Sequence, residues 1–387
     1  MIKKKFKILR IISSLDPKFG GPTRGIIETS KQLIDSGLET EILTLDKKKF
    51  NYSKIKIHNI SSFIFNKYKF SLELIKWLNK NKNKYDFFII HGLWQFQTLV
   101  ARILLKKKYV VFAHGQLDPF FKLNFIKRIK KQLYWKLIEK KNLLNSRSLL
   151  ITSIGEKNSL KNTYVDTSNI KKVIVKYGIY KEKINEKKVL KKFYNKFPEL
   201  KKNNFYLFLG RYHEKKGCEI IINSINSLKK NFNSKILLAG PINKTKYEQK
   251  LLELIKKNKL ERIILFSNAL YGDEKWGAIK ASKAMLLPSH GENFGISLVE
   301  ALSLKKPVIT TDKVNISKVI KKFNAGLISK NNLNSFKLRL KEFENYKQKT
   351  LSLISNNALT CFRKNFDLSD KSKSFSKTIK EMIKNNE

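Results

Sequence analysis

Short, uncharged apolar runs alternate with longer amphipathic stretches over nearly the whole chain, and no other feature narrows its possible folds as far. Runs such as FFII (87–90) and YVVFA (109–113) show no polar alternation, so they suit strands covered on both faces in a parallel sheet. The pattern predicts strands at Phe6–Ser14, Glu41–Leu45, Phe87–His91, Tyr109–Ala113 and Ser148–Thr152. Between them it predicts helices at Thr23–Ser36, Ser71–Asn79, Phe96–Leu105 and Phe125–Asn142. It pauses between Gly178 and Pro198, where charge is high and strand formers are few. There Gly178–Ile184 reads as a linker and Glu186–Lys196 as a short helix. The pattern resumes with strands at Tyr206–Leu209, Lys235–Ala239, Ile263–Phe266, Ala284–Leu287 and Pro307–Thr311. The intervening helices are predicted at Cys218–Lys229, Tyr247–Lys257, Trp276–Ala281 and Gly295–Ser303, and Asp370–Asn385 reads as one more helix. A length of 387 residues suits two domains. The expectation is an α/β protein of two doubly wound domains, over 1–180 and 181–368, with a terminal helix over 369–387 packing back on the first. Two such domains imply a cleft between them, and these folds bind ligands outside the carboxyl ends of their parallel strands.

Composition excludes several classes. With 42% hydrophobic residues the chain can build cores and is neither disordered nor fibrous. Lys and Arg number 81 against 31 Asp and Glu, a net charge of +50, which favours anionic partners: nucleic acid, an anionic membrane surface or phosphorylated substrates. Only nine of the 81 are Arg, so the charge is a chain-wide excess of lysine on solvated faces, not a local basic patch. Two distant cysteines, Cys218 and Cys361, make neither a disulfide scaffold nor a zinc site, and they suit a reducing compartment. Arg10 interrupts the first apolar run and no small-residue cleavage site follows, so that run reads as a buried strand, not an export signal. No stretch approaches 18 uncharged apolar residues, so no membrane span is expected.

Three segments carry candidate chemistry. Gly20-Gly21-Pro22 joins the first strand to its helix, where a glycine pair lets backbone approach a ligand and a helix start offers N–H groups to an anion. It is not G-x-G-x-x-G, and a nicotinamide enzyme is not expected. Arg211 to Gly217 follow the strand YLFL, putting an Arg fork at a strand's carboxyl end and Lys216 at the next helix start. That combination is a good cradle for a diphosphate. In Ser289-His290-Gly291-Glu292-Asn293-Phe294-Gly295 and the helix after it, Glu292 lies in a loop. Glu300 lies among Leu298, Val299 and Ala301, where a carboxylate is costly unless paired. A carboxylate held there suits sugar hydroxyls.

Glu292-x7-Glu300 within GENFGISLVEAL, GRYHEKKG upstream and the GGP loop resemble the retaining glycosyltransferases of family 4. Ala239-Gly240-Pro241 and Pro307–Thr311 are further matches. The likeness covers nearly the whole chain, and its C-terminal motifs are the more specific. It implies the GT-B fold, two Rossmann-like domains facing each other across a cleft. His91-Gly92-Leu93-Trp94 and AHGQLDP (113–119) resemble a subset that builds bacterial surface polysaccharides. By this resemblance Arg211 and Lys216 bind the diphosphate of a nucleotide-sugar donor. Glu300 holds the ribose hydroxyls and Glu292 the sugar hydroxyls, while the backbone of Asn293, Phe294 and Gly295 lines sugar and phosphate. Gly20 and Gly21 approach the phosphate from the first domain, and His114 lies near the anomeric carbon. His91 and Trp94 read either as packing at the sheet edge or as acceptor contacts. Tyr177-Gly178 departs from the family's Asn-Gly at the hinge.

The resemblance further implies transfer with retention and without a metal or other cofactor, and no Asp-x-Asp motif ends a strand. Expected partners are the nucleotide sugar and a glycan or lipid-linked acceptor of lipopolysaccharide, capsule or exopolysaccharide. Expected localisation is cytoplasmic, at the inner membrane face, and the basic amphipathic stretch 122–141 reads equally as a helix on anionic lipid or as a core-packed helix with a solvated lysine face. Two alternatives remain at this point: a basic nucleic-acid-binding protein, and a GT-B sugar-nucleotide epimerase or phosphorylase-like enzyme. Dispersed charge without a nucleic-acid motif speaks against the first, and Glu292-x7-Glu300 against an epimerase.

Overall fold

The computed structural model describes residues 5–17, 20–61, 68–118, 125–201, 204–370 and 375–384. The chain forms two compact units, Met1–Gly178 with Leu368–Glu387, and Ile179–Asp367. In the first, β1 (Lys7–Ile12), α1 (Gly21–Asp35), β2 (Glu39–Thr44), β3 (Lys56–Asn59), α2 (Leu72–Asn81) and β4 (Phe87–His91) are followed by α3 (Phe96–Leu104) and β5 (Tyr109–Phe112). The rest of that unit is α4 (Phe125–Tyr134), a π-helical turn (Trp135–Glu139), α5 (Lys140–Asn145), β6 (Leu149–Ile151), α6 (Ile154–Ser159) and β7 (Lys172–Ile174). Its seven strands are parallel in the order β3-β2-β1-β4-β5-β6-β7.

The second unit holds α7 (Glu186–Lys196), β8 (Phe205–Leu209), α8 (Cys218–Leu228), β9 (Lys235–Ala239), α9 (Lys246–Lys257), β10 (Ile264–Ser267) and α10 (Gly272–Ala281). It continues with β11 (Ala284–Leu287), α11 (Ile296–Ser303), β12 (Val308–Thr311), α12 (Ser317–Lys322), β13 (Gly326–Ser329), α13 (Leu333–Glu344) and α14 (Gln348–Asn365). Its six parallel strands run β10-β9-β8-β11-β12-β13. Both units are therefore doubly wound, with the order reversing beside the first strand of each. The last helix, α15 (Phe375–Lys384), belongs to the first unit and lies against α1.

Local chemistry explains the helix starts. The Ser71 hydroxyl accepts from Leu74 N–H at the head of α2, and the Asn185 side chain from Lys188 N–H at the head of α7. Thr245 and Glu248 form a reciprocal capping box at α9. The central strands are fully buried: every residue of β4, β5, β8 and β11 is inaccessible to solvent or nearly so.

Three differences from the sequence reading stand out. β3 and β7 are not foreseen, because both are short sheet edges, half-exposed and punctuated by lysine, so neither shows a continuous apolar run. The sequence reading also names nothing between Thr311 and Asp370, where α12, β13, α13 and α14 form. The long helix expected at Phe125–Asn142 is divided by the π-helical turn, which inserts an extra residue of rotation and buries Trp135 and Glu139 together. Of the terminal helix expected at Asp370–Asn385, Phe375–Lys384 is helical, and 371–374 and Asn385 lie outside the described residues.

Candidate active site

In the second unit the loop Gly210–Gly217 runs from β8 to α8, over the carboxyl ends of neighbouring strands. Tyr212 pins it there: its hydroxyl lies 2.9 Å from the Leu238 carbonyl and 2.6 Å from that of Ser267, and its ring stacks on Phe266 at 4.2 Å. With Tyr212 buried, Arg211 on one side and His213 on the other are left exposed. The His213 ring accepts from Lys215 N–H at 3.1 Å and starts a single 3₁₀ turn that ends at Gly217. Gly217 is left-handed (φ 69°), and a Cβ there would lie 2.2 Å from the Pro288 carbonyl oxygen. Glycine is thus required for this loop to close on the strand-end loop after β11. His290 N–H donates to the Lys215 carbonyl at 2.8 Å and stitches the two loops together.

That second loop carries Glu292. Its backbone is fixed on both sides, Glu292 N–H donating to Lys313 and Asn315 N–H donating to Glu292. Its carboxylate pairs with the Lys216 ammonium. Burial alone would raise the Glu292 pKa, but Lys216, then Lys215 and Arg211, hold it below the usual value. Two groups expected to meet one ligand are therefore joined to each other, with Arg211 near enough to act on Glu292. Asn293 accepts from the Asn315 amide at 3.4 Å, and the buried Phe294 meets Phe366 edge-on at 5.7 Å. Gly295 (φ 71°) then turns the chain into α11, whose first N–H groups have no intrahelical partner. Glu300 sits just past the first turn of α11, 4% exposed. Lys275 on α10 pairs with it at 2.7 Å, and the same ammonium lies 4.4 Å from the Trp276 ring centre.

In the first unit Gly20 precedes α1 and Gly21 is its first residue. A Cβ at Gly20 would meet nothing within 4 Å, so that backbone faces open space. His114 lies two residues beyond β5 in a left-handed conformation (φ 50°) with its ring stacked on Phe112 at 4.4 Å. Its Nε2 is 2.8 Å from His91 Nδ1, and Arg10 Nε donates to His91 Nε2 at 3.2 Å. For His91 the sequence left open sheet-edge packing and acceptor contact; the residue is 1% exposed with both ring nitrogens engaged. Trp94 is half-buried among Trp135, Tyr134 and Tyr164, with the Lys131 ammonium 4.8 Å from its ring centre. Asp118 is half-buried, and Pro119 lies outside the described residues.

The sequence reading missed four residues. Arg10 was visible as an arginine inside an apolar strand of an arginine-poor chain. Tyr212 was visible as the aromatic between Arg211 and His213. Lys275 and Asn315 carried no signal in a chain this rich in lysine and asparagine. Among the described residues no three His, Cys, Asp or Glu side chains are placed to hold a metal ion, and no helix is long and apolar enough to cross a membrane.

Comparison with known proteins identifies the architecture that carries these loops. The profile of glycosyl transferases group 1 matches residues 191–359, and that of Glycosyltransferase Family 4 matches residues 19–182. An uncharacterized glycosyltransferase of Methanocaldococcus jannaschii, MJ1178, is 28% identical over 354 residues, 88% of this chain and 89% of its own. In fold the chain is similar to a sucrose-phosphate synthase of Thermosynechococcus elongatus (TM-score 0.78, 14% identity, 99% of each chain). It is also similar to Anabaena Alr3699/HepE solved with UDP and glucose (TM-score 0.75, 15% identity, 98% of this chain and all of the other). With the two profiles covering one unit each, and both units wound as these proteins are, the chain belongs to the GT-B glycosyltransferases of the family 4 kind.

Proposed function

We propose that the chain transfers a sugar from a nucleotide-diphosphate donor to a glycan or lipid-linked acceptor, with retention, in the assembly of a bacterial surface polysaccharide. The observation that carries this reading is the joining of Lys216 and Glu292, beside Arg211, at the strand ends of the second unit. In the reading, the bond between the anomeric carbon and the phosphate oxygen breaks, and the departing diphosphate takes up negative charge. Arg211, Lys216 and the N–H groups at the start of α11 meet that charge as it develops, so no metal is required. The acceptor attacks from the face the diphosphate leaves, and its proton passes to the departing phosphate. Glu292 fixes the sugar hydroxyls, while Glu300, held by Lys275, is assigned to the ribose. The family resemblance assigns Gly20, Gly21 and His114 of the first unit to the donor as well. Anabaena Alr3699/HepE, solved with UDP and glucose, supports the donor class.

The reading also takes the enzyme to the inner face of the cytoplasmic membrane. In support, Ile129, Leu133 and Leu137 stand 48%, 57% and 56% exposed along one side of α4 and the turn after it, interleaved with Arg128, Lys130 and Lys136.

A panel of nucleotide sugars, read by the thermal stabilisation each produces, tests the proposal. A ligand at a hundred times its Kd stabilises by about 2.7 kcal/mol. Losing one charge-assisted hydrogen bond costs about 1.5–3 kcal/mol of affinity. Arg211→Ala and Glu300→Ala should therefore remove most of the shift at that concentration and leave the ligand-free melting point nearly unchanged. A parent-like response in both variants would show that the donor binds elsewhere.

A further inference from the structure

Arg10 is a costly side chain to bury. It stands in the middle of β1, is wholly inaccessible to solvent, and among the described residues has no carboxylate in contact. Its Nη1 donates to the Ile26 carbonyl at 3.0 Å, to the Thr29 hydroxyl at 2.8 Å and to the Ser30 hydroxyl at 2.9 Å, all on α1. Phe375 of α15 lies 5.5 Å from the guanidinium carbon and closes the far side. A buried cation met only by neutral acceptors is expensive, and hydrophobic packing of β1 on α1 would cost nothing comparable. The group must be sought for what it does to its remaining neighbour, His91.

The hydrogen-bond chemistry leaves one arrangement. A guanidinium nitrogen only donates, so His91 Nε2, 3.2 Å from Arg10 Nε, must be the bare, accepting nitrogen. A neutral His91 then carries its proton on Nδ1 and donates it to His114 Nε2 at 2.8 Å. His114 Nε2 is thereby an acceptor in turn, and the proton of its neutral ring lies on Nδ1. Among the described residues His114 Nδ1 has no hydrogen-bond partner. Phe112 beneath the ring and Tyr177 edge-on to it, at 4.4 and 6.5 Å, restrict its tilt. The sequence order is β1, end of β4, end of β5, so three adjacent strands deliver the three side chains in line.

We propose that Arg10 and His91 are positioning residues that hold His114 as the neutral Nδ1–H tautomer, so that it offers a ligand a fixed hydrogen-bond donor and cannot take a proton on Nε2. The inference rests on the reading that His114 meets the donor sugar, and it adds which atom does so and what prevents the ring from acting as a base. The donor is Nδ1–H, suited to a sugar hydroxyl or ring oxygen.

The test is nitrogen NMR of the full chain labelled at histidine, with the His114 signals identified by their loss in His114→Gln. The expected spectrum shows His114 Nδ1 protonated and Nε2 bare, unchanged between pH 6 and 8 with no ligand present. Arg10→Met should give His114 a mixture of tautomers, and Arg10→Lys, which still donates to His91, should restore the single form. A merely structural role for Arg10 would leave the tautomer untouched in a folded Arg10→Met protein and would overturn the proposal. So would a parent protein whose His114 is protonated on Nε2 or carries two protons at pH 7, and that measurement needs no variant to fold. Because the protein is read without ligand, failure here is separate from failure of the nucleotide-sugar panel.

Discussion

Two imidazoles kept neutral beside a guanidinium give the first unit a measurable response to acid. Burial first, then Arg10, lowers the His114 pKa from near 6.5 to about 3, and the same causes together with His114 lower that of His91. The unfolded chain therefore binds protons below about pH 6.5 that the folded chain refuses. The stability these rings allow is complete above that pH and is lost progressively as pH falls toward 3, by up to about 2 kcal/mol per ring at pH 5. Glu139 runs the other way. Burial raises its pKa to about 7, so the folded chain gains protons there as pH falls through the same window. The informative quantity is thus a difference between proteins. From pH 7 to 5 in urea melts, His114→Gln should lose about 1–2 kcal/mol less than the parent. Equal losses in the two would mean that the ring titrates freely. At this scale Arg211, Lys216, Glu292 and Glu300 were legible because charged residues rarely follow an apolar strand or interrupt an apolar helix. Their partners were not: Lys275 is one lysine among 72, and only the fold brings α10 beside α11.

Of the helices, α4 and the π-helical turn after it divide their apolar side chains between the core and solvent. The extra residue in the turn puts Trp135 and Glu139 inward, while Ile129, Leu133 and Leu137 stay outward among Arg128, Lys130 and Lys136. Exposed apolar side chains interleaved with cations suit an interface of anionic headgroups over acyl chains. The chain should therefore co-sediment with phosphatidylglycerol vesicles far more than with phosphatidylcholine vesicles, and less as salt rises. Leu133→Glu together with Leu137→Glu should cut the bound fraction severalfold without lowering the melting point, since both side chains are already in water. Binding that salt abolishes but the double variant leaves intact would assign it to the dispersed lysines and not to this helix. Elements of this kind separate what the sequence shows from what it hides. Central strands such as Lys235–Ala239, Ala284–Leu287 and Phe87–His91 are read at their observed limits, because burial on both faces writes an unbroken apolar run. The split in α4 and the closeness of α10 to α7 are not readable. At Gly277 a Cβ would lie 2.2 Å from the Val189 carbonyl oxygen, a constraint set wholly by the neighbouring helix.

The whole chain departs from the first unit at Gly178 and returns to it at Leu368, so the second unit is an insertion between two parts of the first. The alternation of runs showed two α/β units, but it could not show how completely the returning segment belongs to the first, because that depends on contacts 194 to 344 residues apart. Gln32 donates to the Leu368 carbonyl at 2.8 Å, Ser36 to the Ser376 hydroxyl at 2.8 Å, Lys380 to the Ser36 carbonyl at 2.5 Å, and Lys176 pairs with Asp370 at 3.1 Å. Phe375, Ile379 and Ile383 are buried by the same docking, and Phe375 seals Arg10 from solvent. Burying three such side chains is worth about 1.5–3 kcal/mol each, as an upper bound. That sum is comparable with the whole stability of a domain. A chain ending at Asp370 should accordingly show a calorimetric transition of the first unit lowered by ten degrees or more. The second unit, whose core lies within Ile179–Asp367, should melt where it did before. A truncated chain whose two units fell together would mean that α15 supports both, and one in which neither moved would mean that α1 holds its place on the sheet without α15.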